Sequence, residues 1–332
     1  MTDRLPRLRE SPEDFEVEES PLYPPTGEGA HTFVHLEKTL RTTEEVARDF
    51  ARAAACRPRD VGYAGRKDRR AVARQWVSVP GLDPEVARGV EIPGVRVLEA
   101  VRHPHKLRTG QLRGNRFSIT VRNLAGLDPE AVRDRVERVQ REGLPNRYGR
   151  QRFGRDADNA DKARALLRGE AVGGDRRSQR FLLSALQAQG FNAVLAERSR
   201  PLGRVQAGDV AVVHASGGLF VVEDPDRENP RADLFEISPT GPLFGTKMKA
   251  PEGHVAECEA EILRAQGIPS TADLRPPTGI RLRGSRRALR VPLGEFRGDF
   301  EDEALRLRFE LPAGSYATVL VEEIVGAFDE AR

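Results

Sequence analysis

Two segments near the start of the chain alternate between apolar and polar residues, a period that is typical of β-strands. Residues 15–19 and His31–Lys38 show this alternation, and the turn-rich sequence PLYPPTGEG separates them. A helix is predicted next, because Thr42 and Glu45 have the spacing of a capping box. The apolar stripe of this helix consists of Val46, Phe50 and Ala53.

The next hundred residues continue a mixed order of strands and helices. Strands are predicted over residues 75–79 and 115–121, where apolar positions again alternate. Residues 98–113 are basic and rich in turn residues, so we expect a loop there. The helix that follows begins at the Asp-Pro pair 128–129 and ends at Gly143, since aspartate caps a helix, proline suits its first turn and glycine ends it.

The pattern changes after Gly154. It predicts, in order, helices over residues 158–168 and 179–198, a hairpin over 208–223 around ASGG, a loop with the sequence SPTGPLFGTKMKAPEG, and a helix that ends near Gly267. After Arg290 the sequence pattern resembles that of the first part of the chain again, and it predicts a strand over 305–311 and an amphipathic helix over 318–328. This order predicts one α/β domain interrupted by an insertion of about a hundred residues, a typical domain size.

Composition excludes several classes of protein. The chain has 332 residues, of which 38% are hydrophobic and 32% charged, and no apolar run is long enough to span a bilayer. Its first residues have no apolar stretch after the arginines, so we expect neither a secretory signal nor an anchor and place the protein in the cytoplasm. The two cysteines, Cys56 and Cys258, lie far apart, and the close histidine pairs provide too few ligands, so no metal site is predicted.

The charge distribution is more informative than the net charge of +3. Residues 57–74 contain seven basic and two acidic side chains, although codon bias in a GC-rich genome also explains an excess of arginine. One carboxylate, Asp68, lies among the basic residues Arg66, Lys67, Arg69, Arg70 and Arg74. Nearby cations favour the ionised carboxylate, which suggests a nucleophile or base that acts on nucleic acid. In isolation, a helix cap before Arg69 or a solvated salt-bridge cluster explains Asp68 better.

Further segments have the composition of an RNA site. PNRYGRQRFG at residues 145–154 interleaves aromatic residues with arginines, which suits base stacking and phosphate contact. HPHKLRTGQLRGNRF at 103–117 is a basic loop. Phe15 lies among carboxylates, and Tyr316 lies at a turn of small residues before a helix. Taken alone, PNRYGRQRFG is explained equally well by core packing, and a solvated loop or core packing explains the other segments better.

Together and in this order the segments resemble one family, the TruD-type pseudouridine synthases, which isomerise uridine at position 13 of transfer RNA. The matching segments are PEDF at 12–15 followed by Glu19, AGRKDRRAVARQW at 64–76, HPHKLRTGQLRGNRF at 103–117, PNRYGRQRFG at 145–154, SALQAQGFN at 184–192, GPLFG at 241–245 and PAGSYAT at 312–318. The resemblance spans essentially the whole chain. It implies a pseudouridine synthase catalytic domain with a mainly antiparallel sheet at residues 1–160 and 293–332, and an inserted α+β TRUD domain at 161–292.

The resemblance also implies roles for individual residues. Asp68 is the catalytic aspartate, and Phe15, Asn146 and Tyr316 contact the target nucleotide. Residues expected to shape the site or contact RNA are Glu19, Arg66, Lys67, Arg69, Tyr148, Gln151, Arg152 and Phe153. Tyrosine stands at 148 and 316 where the family more commonly has phenylalanine, so only the polarity of the pocket is affected. The expected enzyme is a cofactor-free isomerase with tRNA as its partner; the sequence does not determine the oligomeric state, although we expect a monomer.

The route of the reaction stays open, and so do three alternatives to this function. A carboxylate can attack C1′ or C6, or remove a sugar proton, and the sequence does not choose among these routes. A non-catalytic RNA-binding protein would explain the arginines and aromatic residues. A nucleosidase would combine Asp68 with a second acid such as Glu19. A synthase acting on another RNA or another position is the closest alternative.

Overall fold

The computed structural model describes residues 5–124, 126–154, 156–270, 273–277, 279–301 and 304–330. Contacts between residues divide the chain into two compact units. The first unit comprises Met1–Glu137, Leu293–Ala317 and Val321–Arg332. The second unit comprises Arg138–Pro292 and Thr318–Leu320.

The contact-based units differ from the predicted domains at residues 138–160 and at Thr318–Leu320. Residues 138–160 were assigned to the catalytic domain, whereas by contacts they pack with the second unit. The reason is local pairing: Leu144 and Pro145 form a short antiparallel ladder with Val291 and Arg290. The assignment of a catalytic domain and an inserted TRUD domain stays a prediction.

The elements have the following bounds. The strands are β1 (Arg7–Leu8), β2 (Phe15–Pro21), β3 (His31–Lys38), β4 (Gly62–Tyr63), β5 (Val72–Pro80), β6 (Val95–His103), β7 (Leu112–Arg122), β8 (Leu144–Pro145), β9 (Val210–Val213), β10 (Leu219–Val221), β11 (Ile237–Leu243), β12 (Ser285–Ala288), β13 (Arg290–Val291), β14 (Gly294–Glu301), β15 (Ala304–Pro312) and β16 (Asp329–Glu330). The helices are α1 (Thr43–Ala53), α2 (Pro84–Arg88), α3 (Pro129–Glu142), α4 (Asn159–Leu167), α5 (Arg176–Glu197), α6 (Pro225–Asp233), α7 (Gly253–Ala265) and α8 (Ala317–Val325). Short 3₁₀ helices lie at Pro12–Asp14, Pro58–Asp60 and Arg150–Phe153.

The first unit is built on a mainly antiparallel sheet with the order β14-β15-β7-β2-β5-β3-β6. The strand β2 runs parallel to β5, while β4 pairs with β5 and β1 pairs with both β7 and β16. The register aligns Ala73 with both Val17 and Lys38, so these three side chains share one face of the sheet. Phe15 and Glu19 lie two residues from Val17 on β2 and therefore belong to the same face.

The helix α1 covers part of this face. Val46 and Phe50 are fully buried in one core cluster with Val34, Leu36 and Val77 of the sheet. The predicted capping box is confirmed, because the Thr42 hydroxyl accepts from the Glu45 backbone N–H and the Glu45 carboxylate accepts from the Thr42 backbone N–H. The start of α1 is thereby held in place beside the end of β3.

Two loop predictions were wrong. The first part of residues 98–113 belongs to the edge strand β6, because its polar side chains face solvent while the backbone pairs with β3. The sequence SPTGPLFG contains most of β11 despite two prolines. Proline removes a donor but keeps its carbonyl, and the carbonyl of Pro239 accepts from the backbone N–H of Leu289 at 2.9 Å.

The second unit combines a four-stranded sheet of order β10-β9-β11-β12 with the ladder of β8 and β13. The long helix α5 buries Leu183, Leu186 and Phe191. Mixed helices and mainly antiparallel sheets thus confirm the predicted fold class. In the part of the chain that the structure describes, no helix combines the length and apolar character needed to cross a membrane.

Candidate active site

Asp68 lies in the loop between β4 and β5, and its side chain is 30% exposed. Its Oδ2 lies 2.9 Å from Nη1 of Arg9, and its Oδ1 accepts a hydrogen bond from the backbone N–H of Arg70 at 3.1 Å. The residues after Asp68 form a turn and no helix begins at Arg69, so the helix-cap interpretation is wrong. The carboxylate is held at both oxygens but is still accessible from solvent.

Arg9 is the partner that sequence reasoning missed. It is buried, its guanidinium carbon lies 4.1 Å from the centre of the Phe15 ring, and its Nη1 lies 3.3 Å from the carboxylate of Glu330. Its φ of 62° is in the left-handed region, which is costly for a residue with a side chain. Nothing in the local sequence distinguishes Arg9 from the arginines around it.

Lys38 contacts the same loop from the end of β3. Its side chain is fully buried, and Nζ donates a hydrogen bond to the main-chain carbonyl of Asp68 at 2.6 Å. Burial lowers the pKa of Lys38 from 10.5 to about 8, and the negative charge of Asp68 opposes this shift. Lys38 is another contact of Asp68 that the sequence did not indicate.

Lys67 does not pair with its neighbour Asp68. Its Nζ lies 2.7 Å from Oε2 of Glu19, and the two side chains are only 6% and 1% exposed. The backbone N–H of Lys67 donates to the Thr43 hydroxyl at 2.9 Å. Lys67 and Glu19 therefore shape the loop from inside the protein, and their burial leaves little surface for contact with RNA.

The other basic residues of the loop lie outside. Arg66 and Arg69 are exposed; Arg66 pairs with Glu44, and Arg69 donates to the main-chain carbonyl of Leu40 at 3.1 Å. Both can reach an RNA phosphate at the expense of weak surface contacts. Across the described residues, no group of three or more His, Cys, Asp and Glu side chains is arranged to hold a metal ion.

Phe15 and Tyr316 belong to the same unit as Asp68. Phe15 is buried, with Arg9 over its ring and the ring of Phe117 edge-on at 6.0 Å. Tyr316 is half-buried at the N-cap position of α8. The ring of Phe15 thus has a clear partner within the protein, Arg9, which sequence reasoning did not provide.

Asn146 lies in the second unit and is bonded through most of its polar atoms. Its backbone N–H donates to Leu289 at 2.8 Å, its Nδ2 donates to the carbonyl of Ala288 at 3.0 Å, and its Oδ1 accepts from Arg287. The guanidinium of Arg287 also lies 4.3 Å from the centre of the Tyr148 ring. Arg287, which the sequence did not indicate, orients both residues.

The remaining predicted residues lie, like Asn146, in the segment 145–154. The Asn192 amide bonds the backbone of Tyr148 in both directions, at 2.8 and 3.0 Å. The guanidinium of Arg152 lies 5.6 Å from the centre of the Tyr148 ring. Gln151 is exposed and Phe153 is half-buried on the short helix Arg150–Phe153. The predicted site residues thus form two groups, one in each unit.

Known proteins are similar to this chain over nearly its whole length. The family model described as tRNA pseudouridine synthase D (TruD) matches residues 5–173 and 158–324. The tRNA pseudouridine synthase D of Geobacter metallireducens is 39% identical, over 96% of this chain and 94% of that protein. The Thermus thermophilus protein of the same name is 42% identical, over 98% of this chain and 91% of its own length.

A solved structure agrees with the fold. The crystal structure of a candidate tRNA pseudouridine synthase D (TruD) from Methanosarcina mazei superimposes with a TM-score of 0.80 at 20% identity. The match covers 98% of this chain and 95% of that one. At this identity the superposition supports the fold, while the family model and the closer relatives identify the family. The chain belongs to the TruD family.

Proposed function

We propose that this protein isomerises uridine to pseudouridine at position 13 of tRNA, with Asp68 as the catalytic residue. The observation that carries this proposal is the partly exposed Asp68 carboxylate, paired with Arg9 at 2.9 Å, in a member of the TruD family. The names of its relatives specify pseudouridine synthesis on tRNA. The proposed position within the tRNA rests on the resemblance of the sequence motifs to those of the family.

The isomerisation of uridine exchanges one bond between the base and the sugar for another. The N1–C1′ bond of uridine breaks, the uracil turns while it stays bound, and C5 bonds to C1′ in its place. C5 then loses its proton and N1 takes one up, so that the product is an isomer of the substrate. A carboxylate suits this task because it can add to C1′ or C6 and leave again, or take a proton from the sugar and return it. Arg9 stabilises and orients the Asp68 carboxylate, so that the oxygen is in position before the substrate arrives.

The target base has to leave the RNA stack before it can react. We propose that Tyr316 and Asn146 contact the extruded uridine, because an aromatic ring offers a stacking surface and an amide offers both a donor and an acceptor. Phe15 contributes to the proposed site of Asp68 chiefly by holding Arg9 in place. Exposed Arg66 and Arg69 supply positive charge for the RNA backbone.

The decisive experiment compares Asp68→Asn with Asp60→Asn. Both changes remove a carboxylate paired with an arginine in the same segment, but Asp60 contacts Arg57 at an exposed turn. The proteins are incubated with a tRNA transcript, and pseudouridine is mapped at single-nucleotide resolution. We expect product at position 13 with wild type and Asp60→Asn, and none with Asp68→Asn, while tRNA binding is kept by all three.

Other outcomes identify the alternatives. Product from Asp68→Asn would contradict the role of Asp68, and product at another position would contradict the site specificity. Release of free uracil would indicate a nucleosidase. The structure gives that reading little support, because Glu19, its second acid, is buried against Lys67. Binding without product in wild type would indicate a non-catalytic RNA-binding protein.

A further inference from the structure

Lys38 is a fully buried amine that donates a hydrogen bond to the main-chain carbonyl of Asp68. We propose that Lys38 is a positioning residue for Asp68, which holds the loop main chain so that the carboxylate points at the substrate. The proposal rests on the proposed function of Asp68. In this proposal the ammonium of Lys38 acts through the main chain of Asp68 and does not touch the uridine.

The location of Lys38 suits this task. Its backbone is part of β3 and aligns with Ala73 at the start of β5, immediately after the catalytic loop. Its side chain reaches back to the carbonyl of Asp68 at 2.6 Å. The loop is therefore fastened to the sheet at both Asp68 and Ala73, and a charged donor makes the first of these contacts strong.

The contact also leaves the Asp68 side chain undisturbed. Lys38 binds the carbonyl, Arg9 binds Oδ2, and the backbone N–H of Arg70 donates to Oδ1. Three separate groups thus define the position of one residue. Arg9 and the backbone N–H of Arg70 bind the carboxylate itself, so without Lys38 they can move with it when the loop shifts. They cannot hold the loop main chain in its position against the sheet.

Burying an amine has a cost that a neutral side chain would avoid. Burial depresses the pKa of Lys38 to about 8, which shows that its charged form is less favourable in the protein than in water. Among the charged groups that face it, Asp68, Glu44 and Glu45 favour the ammonium and Lys67 opposes it. An apolar residue of the same length would fill the space, so the ammonium is best explained by the carbonyl that it holds.

The test compares Lys38→Met with Lys249→Met. Both changes remove a lysine that donates to a main-chain carbonyl, but Lys249 is exposed and bonds Leu219 at 3.1 Å, far from the site in sequence. We expect Lys38→Met to lower kcat by about 10²-fold, the typical penalty for misplacing a reacting group, with less than about twofold change in tRNA affinity. Lys249→Met should behave as wild type.

Chemical rescue separates charge from shape. Lys38→Cys is made in a Cys56→Ser/Cys258→Ser background, unfolded, alkylated with 2-bromoethylamine and refolded, which restores an amine of nearly the length of lysine. We expect kcat to recover, with the alkaline limb of the kcat profile moved to lower pH because this amine is less basic. Alkylation with iodoacetamide, which adds a neutral group, should not restore kcat; equal recovery from both reagents would overturn the proposal.

The role of Lys38 can also be tested by a measurement that does not depend on catalysis. Hydrogen exchange at the Arg70 amide reports the loop, because that N–H donates to Asp68 Oδ1. We expect faster exchange in Lys38→Met and unchanged exchange in Lys249→Met. Unchanged exchange together with unchanged kcat would refute the role of Lys38. If the wild-type protein forms no pseudouridine, the proposed function fails, while the exchange measurement still decides whether Lys38 holds the loop.

Discussion

The guanidinium of Arg9 lies over the ring of Phe15, with 4.1 Å between its central carbon and the ring centre. The same guanidinium pairs with the Asp68 carboxylate at 2.9 Å. A cation over an aromatic face is stabilised by the ring, so Phe15 helps to fix the group that fixes Asp68. A buried aromatic residue can in this way affect catalysis without stacking on the substrate.

Arg9→Ala should therefore reduce catalysis far more than it reduces RNA binding. We expect kcat to fall by about 10²-fold, because the carboxylate loses the partner that orients it. Single-turnover assays on the tRNA transcript measure this effect. Arg7→Ala is the matched control, since Arg7 is an exposed arginine two residues away that pairs with Glu10 at the surface. An equal loss of kcat in both variants would contradict the role of Arg9.

The buried pair of Lys67 and Glu19 should stabilise the fold. Breaking it from either side leaves an uncompensated buried charge, so Lys67→Met and Glu19→Gln should each lower the free energy of unfolding by about 3–5 kcal/mol. The double variant should lose clearly less than the sum of the two, which urea unfolding measures. The exposed pair of Arg57 and Asp60 is the control and should show little coupling. Additive losses at Lys67 and Glu19 would show that they act separately.

Arg287 should matter to the second group of site residues. It bonds the Asn146 side chain and covers the Tyr148 ring, so Arg287→Ala should lower kcat/KM on the order of 10²-fold by releasing both. Arg287→Lys should recover little, because an ammonium cannot reproduce the planar fork of the guanidinium. Exposed Arg283 provides the control variant, Arg283→Ala. If Arg287→Ala and Asn146→Ala act through one contact, their effects on kcat/KM will not add.

Lys38 should give stability an unusual dependence on pH. Between its folded pKa of about 8 and its unfolded value near 10.5, the unfolded chain binds a proton that the folded chain lacks. The contribution of Lys38 to the free energy of unfolding therefore rises with pH in this window, by up to about 1.4 kcal/mol per pH unit, and the full cost is present below it. Urea unfolding of wild type and Lys38→Met between pH 7 and pH 9.5 measures the difference, as groups common to both proteins cancel. A difference that stays constant with pH would contradict the depressed pKa.

The parts of the fold that the sequence predicted depend on local chemistry. The capping box of Thr42 and Glu45 involves residues three apart, and it was confirmed. The strand β11 was missed because its prolines are local signals of a turn, whereas its pairing with β9 and β12 is not visible in the local sequence. Strand β6 was missed for the same reason, since pairing with β3 outweighs its polar composition.

The candidate site shows the same difference between local features, which the sequence indicates, and long-range contacts, which it does not. The motif around Asp68 identifies a candidate carboxylate, but its contacts depend on which strands are neighbours. Arg9 reaches Asp68 across a sheet whose order cannot be read from either segment, and Arg287 reaches Asn146 from a strand far along the chain. The sequence also did not indicate that Lys67 pairs with Glu19 and not with its neighbour Asp68, because successive side chains in an extended loop point apart.

The pairing of β7 with β15 has a consequence for how the protein is made. Val121 aligns with Leu305, and nearly all of the second unit lies between them in sequence. A ribosome completes β7 long before β15, so the nascent chain carries a strand edge without its final partner while the second unit is translated. That edge is open to incorrect pairing throughout this interval. Slow or interrupted translation between the two strands should therefore favour aggregation, even though the finished protein covers the edge.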